Sequence, residues 1–158
     1  MDGATLLVCA SLFAIDGDSI MCDGVNMRDM GDGKPHVSGY DAPELGRAQC
    51  REERKKAIRA KKRMGELISS PGVRVWDSGE RDRFNRPLVW VQLADGSTVG
   101  SILVHEELAR IWTNDYVANW CPPQKETFRT WDGRFRNAEP ADLQSGPPWT
   151  KLLSGDRE

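Results

Sequence analysis

F-A-I-D-G-D-S-I-M-C-D-G-V-N-M-R-D-M, residues 13–30, sets short apolar runs between two Asp-Gly pairs. Asp-Gly is turn chemistry, because both residues tolerate the left-handed backbone that tight hairpins need. The stretch therefore predicts a meander. A first strand over residues 5–15 turns at Asp16-Gly17, a second over 19–22 turns at Asp23-Gly24, and a third covers 25–30.

Outward from that meander, Gly31, Asp32, Gly33, Lys34 and Pro35 form a loop, and residues 37–40 resume an extended path. Pro43 and Glu44 carry helix-start signals, and Cys50, Ala57, Ala60, Met64 and Leu67 recur at helical spacing, predicting a helix from Pro43 to about Ser69. Pro71-Gly72 ends it. Strands are expected over 73–77 and 88–93 around a charged loop at 78–87, then a short helix over 99–108 and a last strand over 109–113. Strands, a helix, then more strands describe an α+β chain, mainly β: a five-stranded Greek-key OB-fold barrel with two to three helices.

With 158 residues and 39% hydrophobic content, the chain is long enough for one domain with a core, expected over 1–120. Residues 121–158 read as an extension rich in proline, partly irregular, with a possible helix over 124–135. Trp112, Trp120, Trp131 and Trp149 argue that part of it docks, since indoles are rarely left in solvent. The net charge of -2 excludes nucleic-acid binding by bulk charge. A local basic stretch, Arg47 to Arg63, is either an anion-binding patch or a solvated helix face.

The apolar run at 5–15 lacks a basic segment before it and leads straight into D-G-D, so it reads as a core strand and not a signal peptide. No run approaches the roughly 20 apolar residues of a membrane span. A soluble monomer is expected, cytoplasmic, or secreted if a leader has been trimmed. Cys9, Cys22, Cys50 and Cys121 lack zinc-site spacing. Cys9 with Cys22 across a hairpin, and Cys50 with Cys121 as a staple, are possible pairs; four buried thiols is the alternative.

The chemistry lies in two acidic clusters, Asp16-Gly17-Asp18 and Y-D-A-P-E from Tyr40 to Glu44, with Arg28 between them and Arg86 further on. Carboxylates offer oxygen ligands to a hard cation and a base for water, while guanidinium forks match phosphate oxygens. Together these groups are what displacement at phosphorus requires. Singly, Asp18 could be a turn residue, Asp41 a helix N-cap and Glu44 a first-turn carboxylate.

Four motifs, I-D-G-D-S-I at 15–20, G-Y-D-A-P-E-L at 39–45, R-D-R-F-N-R-P-L-V at 81–89 and S-I-L-V-H-E-E-L-A-R at 101–110, resemble the thermonuclease family. These are the staphylococcal-nuclease-like OB-fold phosphodiesterases, and the resemblance covers about residues 13–112. It implies a calcium ion held by Asp18 and Asp41, with a backbone carbonyl near Ala42. It implies Glu44 as general base, Arg86 as phosphate contact, and attack that leaves 3'-phosphate ends on DNA or RNA. Asn85 stands where the family often has glycine, a mild departure because asparagine tolerates the left-handed region.

Residues 29–39 depart further, being an insertion between the first family arginine and the second acidic cluster. Either Arg28 keeps the first arginine's role or His36 takes it. Arg83, Phe84 and Trp112 are candidate contacts for the substrate's bases. A catalytically inactive OB-fold module binding single strands or protein is the alternative reading.

Overall fold

The computed structural model describes residues 3–116 and 118–122, together with two short strands further on. Its elements run β1 (Thr5–Leu7), β2 (Leu12–Ala14), β3 (Ser19–Cys22), β4 (Val25–Asp29), β5 (Ser38–Asp41), α1 (Arg51–Ile68), β6 (Arg74–Arg81), β7 (Pro87–Gln92), α2 (Val99–His105), β8 (Arg110–Thr113), β9 (Thr127–Arg129) and β10 (Phe135–Asn137). The chain divides into two compact units, Met1–Cys121 and Pro122–Glu158. The fold is α+β and mainly β. A six-stranded sheet in the order β1-β6-β7-β4-β3-β2 carries the first unit, and β5 pairs with β8 beside it. In the second unit β9 and β10 pair antiparallel, so the helix expected over 124–135 is replaced at these positions by strands. Trp131 and Trp149 lie outside the described residues.

Asp23 and Gly24 both take positive φ, 48° and 85°, closing the two-residue hairpin between β3 and β4. The Asp23 carboxylate also accepts from the backbone N–H groups of Ala10 and Ser11, at 3.1 and 2.7 Å. Those two amides lie where the single first strand expected over 5–15 is broken. β1 pairs with β6 and β2 pairs with β3, at opposite ends of the sheet order, so the first segment borders both edges. Six strands stand where five were expected because of this break. A Cys9–Cys22 disulfide spans it. A second disulfide joins Cys50 to Cys121 across 71 residues, the longer loop and on chain-entropy grounds the larger stabilisation, about 4 against about 3 kcal/mol.

β4 and β7 run parallel, Arg28 opposite Leu88, a pairing that needs the long crossover supplied by α1 and β6. The face that α1 buries is Ala57, Ala60, Met64, Leu67 and Ile68, as its spacing predicts, against a core including Ile20, Val89, Val91 and Leu103. Its start differs: Cys50 is the N-cap, seven residues after Pro43. The intervening segment stays irregular because two of its N–H groups are held by a side chain and not by backbone carbonyls of a helical turn. Glu53, buried in the first turn of α1, accepts from the amides of Glu44 and Gln49 at 3.2 and 2.6 Å. β6 also runs further than expected, to Arg81, which shortens the charged loop to a tight turn. Among the described residues no helix is long and apolar enough to cross a membrane.

Candidate active site

Gly17 holds the first acidic cluster in place by leaving space. A Cβ there would lie 2.7 Å from the Cβ atoms of both Ala42 and Ala60, so only glycine lets the D-G-D segment pass between α1 and the second acidic cluster. Asp18 follows it into the interior. Its Oδ2 accepts from the Ala42 amide at 3.0 Å and pairs with Arg28 Nη1 at 2.7 Å, and its Oδ1 accepts from the Ser19 hydroxyl. Arg28, on β4, also donates from Nη2 to the Tyr40 carbonyl at 2.8 Å and stands 3.8 Å from Asp41 Oδ1. Burial works against its charge, but Asp18 above all, with Tyr40, Asp41 and Asp16, holds the guanidinium above the ordinary arginine range.

The same crowding acts on the acids. Burial, then repulsion from Asp18, pushes the Asp16 carboxyl up to about 6 and raises Asp41 in the same direction. Three carboxylates face one guanidinium here, and every donor is oxygen. Oxygen is the ligand type of a hard divalent cation. Among the described residues no three of these carboxylates converge on one point, and the pair that could hold an ion is Asp18 and Asp41, both of which face Arg28.

The opposite wall is built on Asp82. Its Oδ1 accepts from the amides of Phe84 and Arg86 and its Oδ2 from Arg86 Nε at 2.7 Å, closing the turn between β6 and β7. Partial burial would raise Asp82, but hydrogen bonds from the Arg86 amide and side chain hold it below the usual carboxylate range. Asn85 takes φ 62° in this turn, the left-handed conformation that its side chain tolerates. Arg86 Nη1 donates to the Ser19 hydroxyl at 3.2 Å. Ser19 thus joins Arg86 on one wall to Asp18 on the other. Phe84 is 65% exposed, with the Arg83 and Arg86 guanidinium carbons 4.8 and 5.5 Å from its ring centre.

Between the walls lies a cleft of about 480 Å³, lined among others by Arg28, Asp41, Glu44, Arg83, Phe84, Arg86 and Trp112. Of the site residues expected from sequence only Asp18 is missing from its surface, being buried behind Arg28. Glu44 is exposed at the rim, outside any helix, so a first-turn role does not account for it; nor is Asp41 an N-cap. The insertion after β4 turns back on itself, fixed by Trp90 Nε1 on the Gly33 carbonyl and by Thr98 on Asp32. Arg28 therefore keeps its place beside Asp41. His36 also borders the cleft, but its Nε2 faces Glu80 at 3.4 Å.

Four supporting residues were given no role in the site by the sequence reading. Asp29, fully buried, accepts from the amides of Gly31 and Val91 and from the Tyr40 hydroxyl, and burial lifts it to about 6. It anchors the strand whose Tyr40 carbonyl receives Arg28. Glu53 holds the loop bearing Glu44, Asp82 organises the arginine turn, and Trp120 donates to Asp41. Only Asp82 had a local signal, its place at the head of a charged turn. Cys50, Glu53 and Cys121 also cluster, but the two sulfurs are bonded to each other and hold no lone thiolate for a metal. Among the described residues Arg51, Arg54, Lys55 and Arg59 of α1 are exposed without a carboxylate partner, a solvated face. In comparisons with family models and with curated proteins, nothing matches this chain.

Proposed function

We propose that the chain is a calcium-dependent nuclease hydrolysing DNA, RNA or both with little sequence preference, on an OB-fold of thermonuclease type. The observation that carries this reading is the cleft itself. It gathers two candidate phosphate forks, a free carboxylate and an over-acidic oxygen cluster around one 480 Å³ space. The strand order supports the fold: with β1 and β2 counted as one broken strand, five strands follow the order 1-2-3-5-4-1 with the third and fifth parallel.

In this reading Asp18 and Asp41 hold the ion, and Asp16 adds charge behind them. The chemistry the ion supplies when bound is polarisation of a phosphoryl oxygen. Glu44 accepts the proton of the attacking water from the open side of the cleft, where water reaches it. Arg86 offers Nη2, which has no partner among the described residues, to a phosphate oxygen, with Nε and Nη1 held by Asp82 and Ser19. Arg28 fixes the acids and, on the cleft surface, would offer a second guanidinium to the phosphate. Phe84 and Trp112 provide faces on which bases stack. The two disulfides support an oxidising working compartment.

One observation favours the second reading, a binding module without catalysis: Arg28 is already engaged by Asp18 and the Tyr40 carbonyl. The Glu44→Gln variant decides between them. A nuclease loses about 10²- to 10⁴-fold in turnover with its melting temperature kept. A module retains strands uncut in wild type and variant alike, which would defeat the proposal.

A further inference from the structure

Trp120 approaches Asp41 from outside the cleft. It is only 7% exposed, and its Nε1–H donates to Asp41 Oδ2 at 3.2 Å. Two cations lie over the ring, the Arg110 guanidinium carbon 4.3 Å and Lys56 Nζ 5.6 Å from its centre. Arg110 also donates to the Asn119 carbonyl at 2.7 Å, and its own position on β8 is opposite Asp41 in register. Among the described residues no helix or strand lies between β8 and Trp120. The next residue is Cys121, bonded to Cys50 at the head of α1. A covalent tie at the adjoining residue therefore limits where the indole can sit.

An indole has one donor and no acceptor, so this contact occupies one oxygen of Asp41 and fixes the carboxylate plane. The other oxygen, Oδ1, is the one that faces Arg28. We infer that the Cys50–Cys121 disulfide is a redox latch that keeps Trp120 on Asp41, making Trp120 a positioning residue and the site's affinity for a divalent cation dependent on thiol oxidation. The inference rests on the cation reading above. Both cysteines are partly exposed, so a dithiol can reach them. In that step the Sγ–Sγ bond breaks, each sulfur takes one proton and one electron from the dithiol, and the dithiol closes to its own disulfide. Freed of the tie, residues 118–122 keep only non-covalent contacts, and Asp41 loses its fixed orientation. A cation site built this way is complete in an oxidising compartment and weakened in a reducing one.

The test is a calorimetric titration with calcium of oxidised wild type, of Trp120→Phe, and of the double variant Cys50→Ser with Cys121→Ser. Phenylalanine keeps a ring beside Arg110 and Lys56 without the N–H. Serine is a good N-cap, so α1 keeps its start, which circular dichroism checks. Partners of metal ligands set affinity by about 10- to 100-fold, and both variants bind calcium at least about tenfold more weakly while helix content is unchanged. Equal affinity in all three proteins overturns the latch and leaves the cation reading standing. Absence of calcium binding by oxidised wild type overturns the cation reading and the latch with it. Where the double variant does not fold, wild type reduced by a dithiol replaces it, and binding as tight as in the oxidised protein overturns the latch.

Discussion

On one wall of the cleft Arg28 is enclosed by acceptors, with Asp18 at 2.7 Å, the Tyr40 carbonyl at 2.8 Å and Asp41 beyond. On the other, Arg86 leans on Asp82 and Ser19 and leaves a nitrogen facing the open space, beside an exposed phenylalanine. The same side chain serves two purposes. Where carboxylates are buried together, the guanidinium balances charge that desolvation has made expensive. Where a single carboxylate is satisfied by turn amides, the guanidinium stays available for an incoming anion.

Removing each arginine separates the roles. Arg28→Ala strands Asp18 without its counter-charge and lowers stability by about 3–5 kcal/mol, read from chemical denaturation. Calcium recovers more of that loss than it adds to wild type, because the ion replaces the missing positive charge. A variant as stable as wild type would erase the distinction. Arg86→Ala is the converse. Its effect falls on turnover, about 10²- to 10³-fold, with stability changed by less than about 1 kcal/mol. Arg86→Lys recovers little, since a lysine cannot hold Asp82, Ser19 and a phosphate in one plane.

Much of the second wall is legible in sequence because turn chemistry is local. Asn85 takes the left-handed backbone its side chain allows, as Asp23-Gly24 does in the predicted hairpin that leads to Arg28. The acidic wall is less legible because long-range partners decide it. Pro43 and Glu44 look like a helix start, yet their segment is held in a loop by Glu53, nine residues beyond Glu44, and α1 begins at Arg51. The first strand looks continuous, but its two halves serve opposite edges of the sheet. Arg28 reads as a phosphate contact by charge and spacing, whereas its neighbours Asp18 and Tyr40 are brought to it by the fold. Trp120 and Asp41 are 79 residues apart, and no spacing rule joins them.

Gly17 gives a smaller, geometric test of the acidic wall. Gly17→Ala forces a methyl against Ala42 and Ala60 and costs about 1–3 kcal/mol. Because the displaced segment carries Asp18, calcium binding weakens as well, while the Asp82 turn across the cleft is undisturbed. Loss of stability with unaltered calcium affinity would mean that Asp18 is not placed by this packing.

The smallest effect is the pH response. Asp16 and Asp29 sit near 6 in the fold against an ordinary value of 3.8. Between about pH 4 and 6 the folded chain holds protons that the unfolded chain has released. These two groups therefore favour folding most on the acid side, and their contribution falls as pH rises through 6. In chelator the denaturation midpoint is higher at pH 5 than at pH 7; with calcium the order reverses, because the ion requires ionised carboxylates. The same order with and without calcium would disconnect Asp16 from the cation.

The most direct measurement is digestion of labelled single-stranded and duplex nucleic acid by the purified, oxidised protein, with calcium, with magnesium and with chelator. The proposed site predicts cleavage with calcium, faster on single strands, and none in chelator. A folded protein that binds calcium but leaves every strand intact, or one that cuts equally well in excess chelator, would contradict it.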